Sequence, residues 1–282
     1  MSRVGGAKRE SSARHGPVSD PDPLDLSGRV AIVTGGTKGL GRVIAATLLA
    51  HGADVLVCAR SQPDELPAAG DRSATFAACD VLDAESVATA VQAAIDTYGR
   101  VDILVNNAGG APPADSATAS SRFTDKILGL NLVGPLTVAQ AVRPHLIEAG
   151  GGVIVNISSV SGSRANPMGV AYGAAKAGLE NLTRTLAHEW GPDIRVVALT
   201  VGQILTDDNR AFYGDDESID RIAQVLAARR LGDPQEVADV VLFAVSDLAR
   251  WVTGTAIEVH GGGEGPAYLL ASTGDVTGSP RG

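Results

Sequence analysis

The chain has 282 residues, 44% of them hydrophobic and 20% charged, with a formal net charge of −9. That length buries a sizeable core, and the composition is that of a globular protein. The acidic balance, with no Lys/Arg stripe, argues against a nucleic-acid partner, and no apolar run is long enough to span a bilayer.

Residues 1–26 are rich in Ser, Gly, Arg, Pro and Asp without apolar periodicity, and read as a flexible tail. The basic N-terminus lacks an apolar stretch of the secretory kind, so a cytoplasmic location is expected. Cys58 and Cys79 are the two cysteines. Their number suits neither a disulfide framework nor a metal site, and both read as small buried hydrophobes.

From residue 27 apolar runs alternate with helical periodicity. Val30–Val33 reads as a buried strand, followed by a glycine-rich turn and a helix over about Gly41–His51. Asp54–Cys58 and Ala74–Ala78 are the second and third strands, and Asp83–Tyr98 a helix. Val101–Val105 is the fourth strand. Phe123–Ala149 reads as one long helix bent at Gly134-Pro135. Gly152–Ile157 is the fifth strand and Met168–Trp190 a helix. Ile194–Thr200 is the sixth strand, Gln235–Leu248 a helix begun by Pro234, and Ala256–His260 the seventh strand. This alternation predicts an α/β fold: a doubly wound, seven-stranded parallel sheet with helices on both faces, in a single Rossmann-type domain over 27–263. Residues 264–282 are expected to form a C-terminal tail.

Thr34-Gly35-Gly36-Thr37-Lys38-Gly39-Leu40-Gly41 lies between the first strand and the first helix, where a dinucleotide-binding glycine turn belongs. Glycines allow close approach to a pyrophosphate, and the helix N-terminus offers free N–H groups. Gly35, Thr37, Lys38, Gly39, Leu40 and Gly41 are therefore cofactor candidates. Past the second strand, where a carboxylate would select the ribose 2′-OH of NAD, the chain has Arg60 instead. Arg60 with Lys38 favours a 2′-phosphate, so NADP(H) is preferred to NAD(H).

Tyr172 and Lys176 stand one helical turn apart, on a helix reached from a strand ending Ser158-Ser159. An ammonium near a phenol favours phenolate and lowers its pKa. No histidine has paired ligand spacing, so no metal is expected.

Cys79-Asp80-Val81 after the third strand, Asn106-Asn107-Ala108-Gly109 after the fourth, Asn131, and Ser159 thirteen residues before Tyr172 complete a set. Together with the glycine turn it resembles the compact, single-domain branch of the short-chain dehydrogenase/reductase family, over about Leu26 to Gly263. The resemblance implies Tyr172 as general acid/base and Lys176 on the nicotinamide ribose, depressing the Tyr172 pKa. It implies Ser159 on the substrate carbonyl, and Asn131 holding a helix distortion and a water. Asp80, Val81, Asn106, Asn107, Ala108 and Gly109 would line the adenosine side, and Gly202, Ile204 and Thr206 the nicotinamide side. The chain departs from the family at Val201, where Pro is usual, predicting a looser turn, and at His260, where Asp is usual.

The resulting expectation is an NADP(H)-dependent ketone/secondary-alcohol oxidoreductase, with a 3-oxoacyl thioester or a hydrophobic ketone as substrate. Residues 203–230, with Phe212 and Tyr213, would form the substrate lid. The family also implies a homo-oligomer, tetramer or dimer, meeting through the two long helices. Two alternatives exist: a non-catalytic NADP-binding sensor or scaffold, which predicts damage to the Ser–Tyr–Lys set, and a sugar epimerase or dehydratase, which needs a larger C-terminal substrate domain.

Overall fold

The computed structural model describes residues 22–268. Residues 1–21 and 269–282, which hold most of both expected tails, lie outside them. The described end of the N-terminal stretch is not loose: Leu26 is fully buried and Leu24 packs on the core.

Seven strands form one parallel sheet: β1 (Val30–Thr34), β2 (Asp54–Ala59), β3 (Thr75–Ala78), β4 (Ile103–Asn106), β5 (Gly152–Ser159), β6 (Ile194–Val201) and β7 (Thr255–Val259). Their spatial order is β3-β2-β1-β4-β5-β6-β7. Every pair is parallel, so all carboxyl ends lie on one edge. The order reverses between β1 and β4, which opens a crevice at that edge. A two-stranded ribbon, Ala68–Ala69 with Arg72–Ser73, lies apart from the sheet.

The strands are apolar on both faces because helices cover both. On one face Val33, Val57, Val105 and Val155 pack with α1 (Gly39–Ala50) and the helix over Pro234–Val245. On the other, Ile32, Leu56, Leu104 and Ile154 pack against α2 (Ala84–Tyr98) and the helices over Gly134–Glu148 and Val170–Trp190. Side chains alternate between the two cores, as strand geometry requires. Cys58 and Cys79 are buried and free in the second core.

The single helix expected over Phe123–Ala149 is divided. α3 (Ser121–Leu128) leads through a π turn (Gly129–Val133) into α4 (Gly134–Glu148). The distortion thus centres on Asn131, not on Gly134-Pro135. Pro135 stands in the first turn of α4, where its missing N–H does no harm. α5 (Val170–Trp190) follows β5. The short α6 (Arg210–Tyr213) and α7 (Asp216–Val225) occupy the segment after β6, and α8 (Pro234–Val245) precedes β7. Among the described residues, no helix is long and apolar enough to cross a membrane.

Candidate active site

The candidate cofactor residues assemble along the carboxyl edge. Gly35 to Gly41 link β1 to α1, Arg60 follows β2, Asp80 and Val81 follow β3, and Asn107 to Gly109 follow β4. Gly35 and Gly39 have φ values of +62° and +50°, which the turn needs glycine to adopt. Gly41 also permits a close approach, since a Cβ there would lie 2.3 Å from the Gly35 carbonyl oxygen.

The first turn of α1 has no side-chain cap, whereas Asp83, Ser120, Asp215 and Asp233 cap α2, α3, α7 and α8. Its leading N–H groups thus face the crevice without a side-chain acceptor. The side chains of Lys38 and Arg60 are exposed, and neither forms an ion pair among the described residues. Uncapped amides and two free cations suit a phosphorylated dinucleotide. One group opposes it: an Asp208 carboxylate oxygen lies 3.1 Å from where a Cβ on Gly39 would stand.

Some candidates also carry framework contacts. The Asn107 amide donates to the carbonyls of Thr34 and Gly35, at 3.0 and 3.1 Å, and so fastens the glycine turn to β4. Asn106 is buried and donates to Asn156 Oδ1 and the Pro135 carbonyl. Asp80 Oδ1 accepts from the Leu82 N–H, and Val81 is buried against Gly134. Thr34 is a further organiser, its hydroxyl accepting from both Asn107 N–H and Ala108 N–H at 3.0 Å. A threonine inside an apolar strand carries no sequence signal for that task.

Ser158 and Ser159 end β5 and point to opposite faces. Ser158 is buried, donating to Glu180 Oε1 at 3.0 Å. Glu180 is thereby held beneath α5, also accepting from Thr200 at 2.8 Å. The Ser159 side chain opens into the cleft, its oxygen accepting from Ser161 N–H at 3.2 Å. Its own hydroxyl hydrogen stays available. The turn after β5 rests tightly on α5: a Cβ at Gly162 would lie 2.8 Å from the Ala177 nitrogen. This packing sets Ser159 beside Tyr172.

Lys176 is buried and donates to the Ile157 carbonyl at 2.7 Å. Burial lowers its pKa to about 8. Its Nζ lies 5.5 Å from the Tyr172 ring centroid. Burial raises the Tyr172 phenol above its usual value, with the nearby Ser159 hydroxyl pulling it down. In the chain alone burial of the phenol therefore outweighs the depression expected from Lys176, whose ammonium lies over the ring.

Asn131 is fully buried. Its Oδ1 accepts from Gly110 N–H at 2.8 Å, while its amide donates to the carbonyls of Gly110 and Ile127 at 3.0 Å each. It opens the helix into the π turn and ties it to the loop after β4. A Cβ on Gly109 would sit 2.7 Å from Asn131 Oδ1 and 3.4 Å from Lys176 Nζ, so only glycine fits there.

Val201 continues the ladder, paired with Ser159 and Val259. Gly202 is required because a Cβ would lie 2.6 Å from that of His260. Ile204 is buried, and Thr206 N–H is held by Asn209 Oδ1 at 2.8 Å.

Ser159 and Tyr172 line a cavity of about 520 Å³. Pro112, Pro113, Met168 and Phe212 give it an apolar side, and Tyr213 adds its ring from the segment after β6. No group of three or more metal-ligating side chains occurs among the described residues.

A family model described as enoyl-(acyl carrier protein) reductase matches residues 35–264. D-threitol dehydrogenase of Mycolicibacterium smegmatis is 37% identical over 243 residues, covering 84% of this chain and 93% of that protein. Human dehydrogenase/reductase SDR family member 4 is 36% identical over 248 residues, covering 86% and 88%. A solved structure of 7α-hydroxysteroid dehydrogenase, complexed with NADH and 7-oxo glycochenodeoxycholic acid, superposes with a TM-score of 0.78 at 32% identity, covering 86% of this chain and 96% of that one.

Proposed function

The chain belongs to the short-chain dehydrogenase/reductase family of oxidoreductases, and we propose that it interconverts a ketone and a secondary alcohol using NADP(H). The observation that carries this reading is the meeting of the Ser159 and Tyr172 hydroxyls in one cavity, above the buried Lys176. Bound nicotinamide would supply or accept the hydride. Ser159 donates a hydrogen bond to the substrate oxygen, and Tyr172 gives that oxygen a proton in reduction and removes it in oxidation. A phenol raised by burial stays protonated at neutral pH, which suits the reductive direction. Lys176, anchored on Ile157, retains ammonium donors for a ribose hydroxyl.

The exposed Lys38 and Arg60 support NADP(H). Among relatives, 7α-hydroxysteroid dehydrogenase was solved with NADH, so the preference rests on this chain's own cations. The relatives' names span a polyol and a steroid acid, and the substrate is left to the cavity walls. The intact Ser159–Tyr172–Lys176 set argues against a non-catalytic sensor. Exposed Val133, Ile147 and Val170 on the two long helical segments support a homo-oligomer.

The test is cofactor oxidation with a panel of ketones, 3-oxoacyl thioesters and enoyl thioesters. Turnover of carbonyls with NADPH ahead of NADH is expected. Reduction of the enoyl carbon–carbon bond alone would overturn the carbonyl reading, and a preference for NADH would overturn the cofactor assignment.

A further inference from the structure

Among the described residues lining the cavity, Arg164 is the one charged side chain. It lies five positions past Ser159, its N–H donating to the Val160 carbonyl at the end of the turn after β5. Glu264, which is not part of the cavity wall, holds the guanidinium: Arg164 Nη2 lies 2.6 Å from Glu264 Oε1. The same oxygen accepts from Gln203 Nε2 at 2.7 Å, which joins the segment after β7 to the loop after β6. Glu264 is itself steadied by neighbouring backbone, since Gly265 N–H donates to the Val225 carbonyl and residue 264 bridges to Leu226. One edge of the Arg164 fork is thus occupied. The Arg164 side chain keeps 44% of its surface exposed, and among the described residues its guanidinium has a partner at Nη2 and none at Nε or Nη1.

A guanidinium fixed at one nitrogen and open at the others is oriented to receive an oxyanion in two-point fashion. Pro112, Pro113, Met168 and Phe212 form an apolar part of the wall of the same cavity. Resting on the oxidoreductase reading above, we infer that the substrate is amphipathic: an apolar body against that wall, and an anionic oxygen group, carboxylate or phosphate, held by Arg164 away from the reacting carbonyl. Glu264 is a positioning residue that aims Arg164 and moderates its charge.

The experiment measures binding and turnover on the full chain with NADP(H). Two probe pairs differ chiefly by one ionised group: 9-oxodecanoic acid against its methyl ester, and the 3-oxobutanoyl thioester of 4′-phosphopantetheine against that of pantetheine. Calorimetry with decanoate and methyl decanoate on the NADP⁺-saturated chain gives a readout independent of turnover. Wild type is expected to prefer the charged member of at least one pair. Arg164→Ala removes that preference, raising KM or Kd for the charged member about 10- to 100-fold while the neutral member is unchanged. Arg164→Lys restores part of it. Glu264→Gln tightens the charged member about two- to fivefold by removing a competing, partly exposed charge. A preference confined to the acid pair assigns a carboxylate, and one confined to the thioester pair a phosphate. Equal binding of charged and neutral members by wild type overturns the inference. So does an Arg164→Ala loss that falls equally on both, which would mark a structural role. Decanoate binding that depends on Arg164 without carbonyl turnover would instead overturn the oxidoreductase reading and leave the anion site standing.

Discussion

Lys176 and Ile157 are joined by a 2.7 Å hydrogen bond from the buried ammonium to a strand carbonyl, two residues before Ser159. That bond registers α5 on β5 and so sets the spacing between Tyr172 on the helix and Ser159 on the strand. The ammonium is held out of water, and its pKa falls to about 8. Between that value and the ordinary lysine value, the unfolded chain binds more protons than the folded one, so stability contributed by this group rises with pH across the window. Urea melts from pH 7.5 to 10.5 should show a rise of up to roughly 3 kcal/mol in wild type relative to Lys176→Met. Parallel pH profiles for the two would show that the ammonium is not desolvated.

Ser158 and Ser159 separate structural from chemical roles within one dipeptide. Ser159→Ala should lower kcat by about 10²- to 10³-fold, as loss of a donor to developing negative charge does, with little change in stability. Ser158→Ala should retain kcat but lose about 1–2 kcal/mol in denaturant melts, because Glu180 loses a donor at Oε1. The reverse pattern would mean that the two side chains face the other way.

Asn131→Ala should cost roughly 2 kcal/mol or more in urea, since Gly110 and Ile127 lose buried hydrogen-bond partners. Amide exchange at Gly110 should accelerate with it. A neutral substitution would mean that the π turn is held by backbone alone.

The strands were readable because each is a short Val-, Ile-, Leu- or Ala-rich run closed by turn residues, and two-sided burial leaves no ambiguity of face. The place of the helix break was not legible from local pattern, although the family resemblance put a distortion at Asn131. Gly134-Pro135 is the stronger local breaker, yet the distortion follows a tertiary contact between Asn131 and Gly110 that local pattern does not encode. Ser159, Tyr172 and Lys176 were legible from spacing, but the direction of the Tyr172 pKa was not, because it depends on how deeply the ring is buried. Asn107 illustrates the same limit: a motif places it at the crevice, while only the fold shows its amide spent on the glycine turn. Arg164 had no motif at all, and acquires meaning from the cavity it enters and from Glu264, a hundred residues downstream in sequence.

Cofactor affinity should respond in opposite directions to charges on the two sides of the glycine turn. Arg60→Ala or Lys38→Ala should weaken NADPH about tenfold with a smaller effect on NADH, as loss of one charge-assisted contact implies. Asp208→Ala removes the carboxylate beside Gly39 and should tighten both cofactors by a few-fold. Fluorescence titration distinguishes these outcomes. Equal losses for NADPH and NADH in the Arg60 and Lys38 variants would refute 2′-phosphate recognition, and weaker binding in Asp208→Ala would mean that this carboxylate supports the cofactor site.

The proposed function rests above all on proton transfer by Tyr172 in a carbonyl reduction. The most direct measurement is single-turnover NADPH oxidation by Tyr172→Phe with a ketone that wild type reduces, alongside an NADPH titration of the same protein. Hydride transfer is expected to fall by about 10²-fold or more, the usual contribution of a positioned proton donor, with NADPH affinity unchanged. Turnover by Tyr172→Phe within a few-fold of wild type, with the cofactor bound, would contradict it.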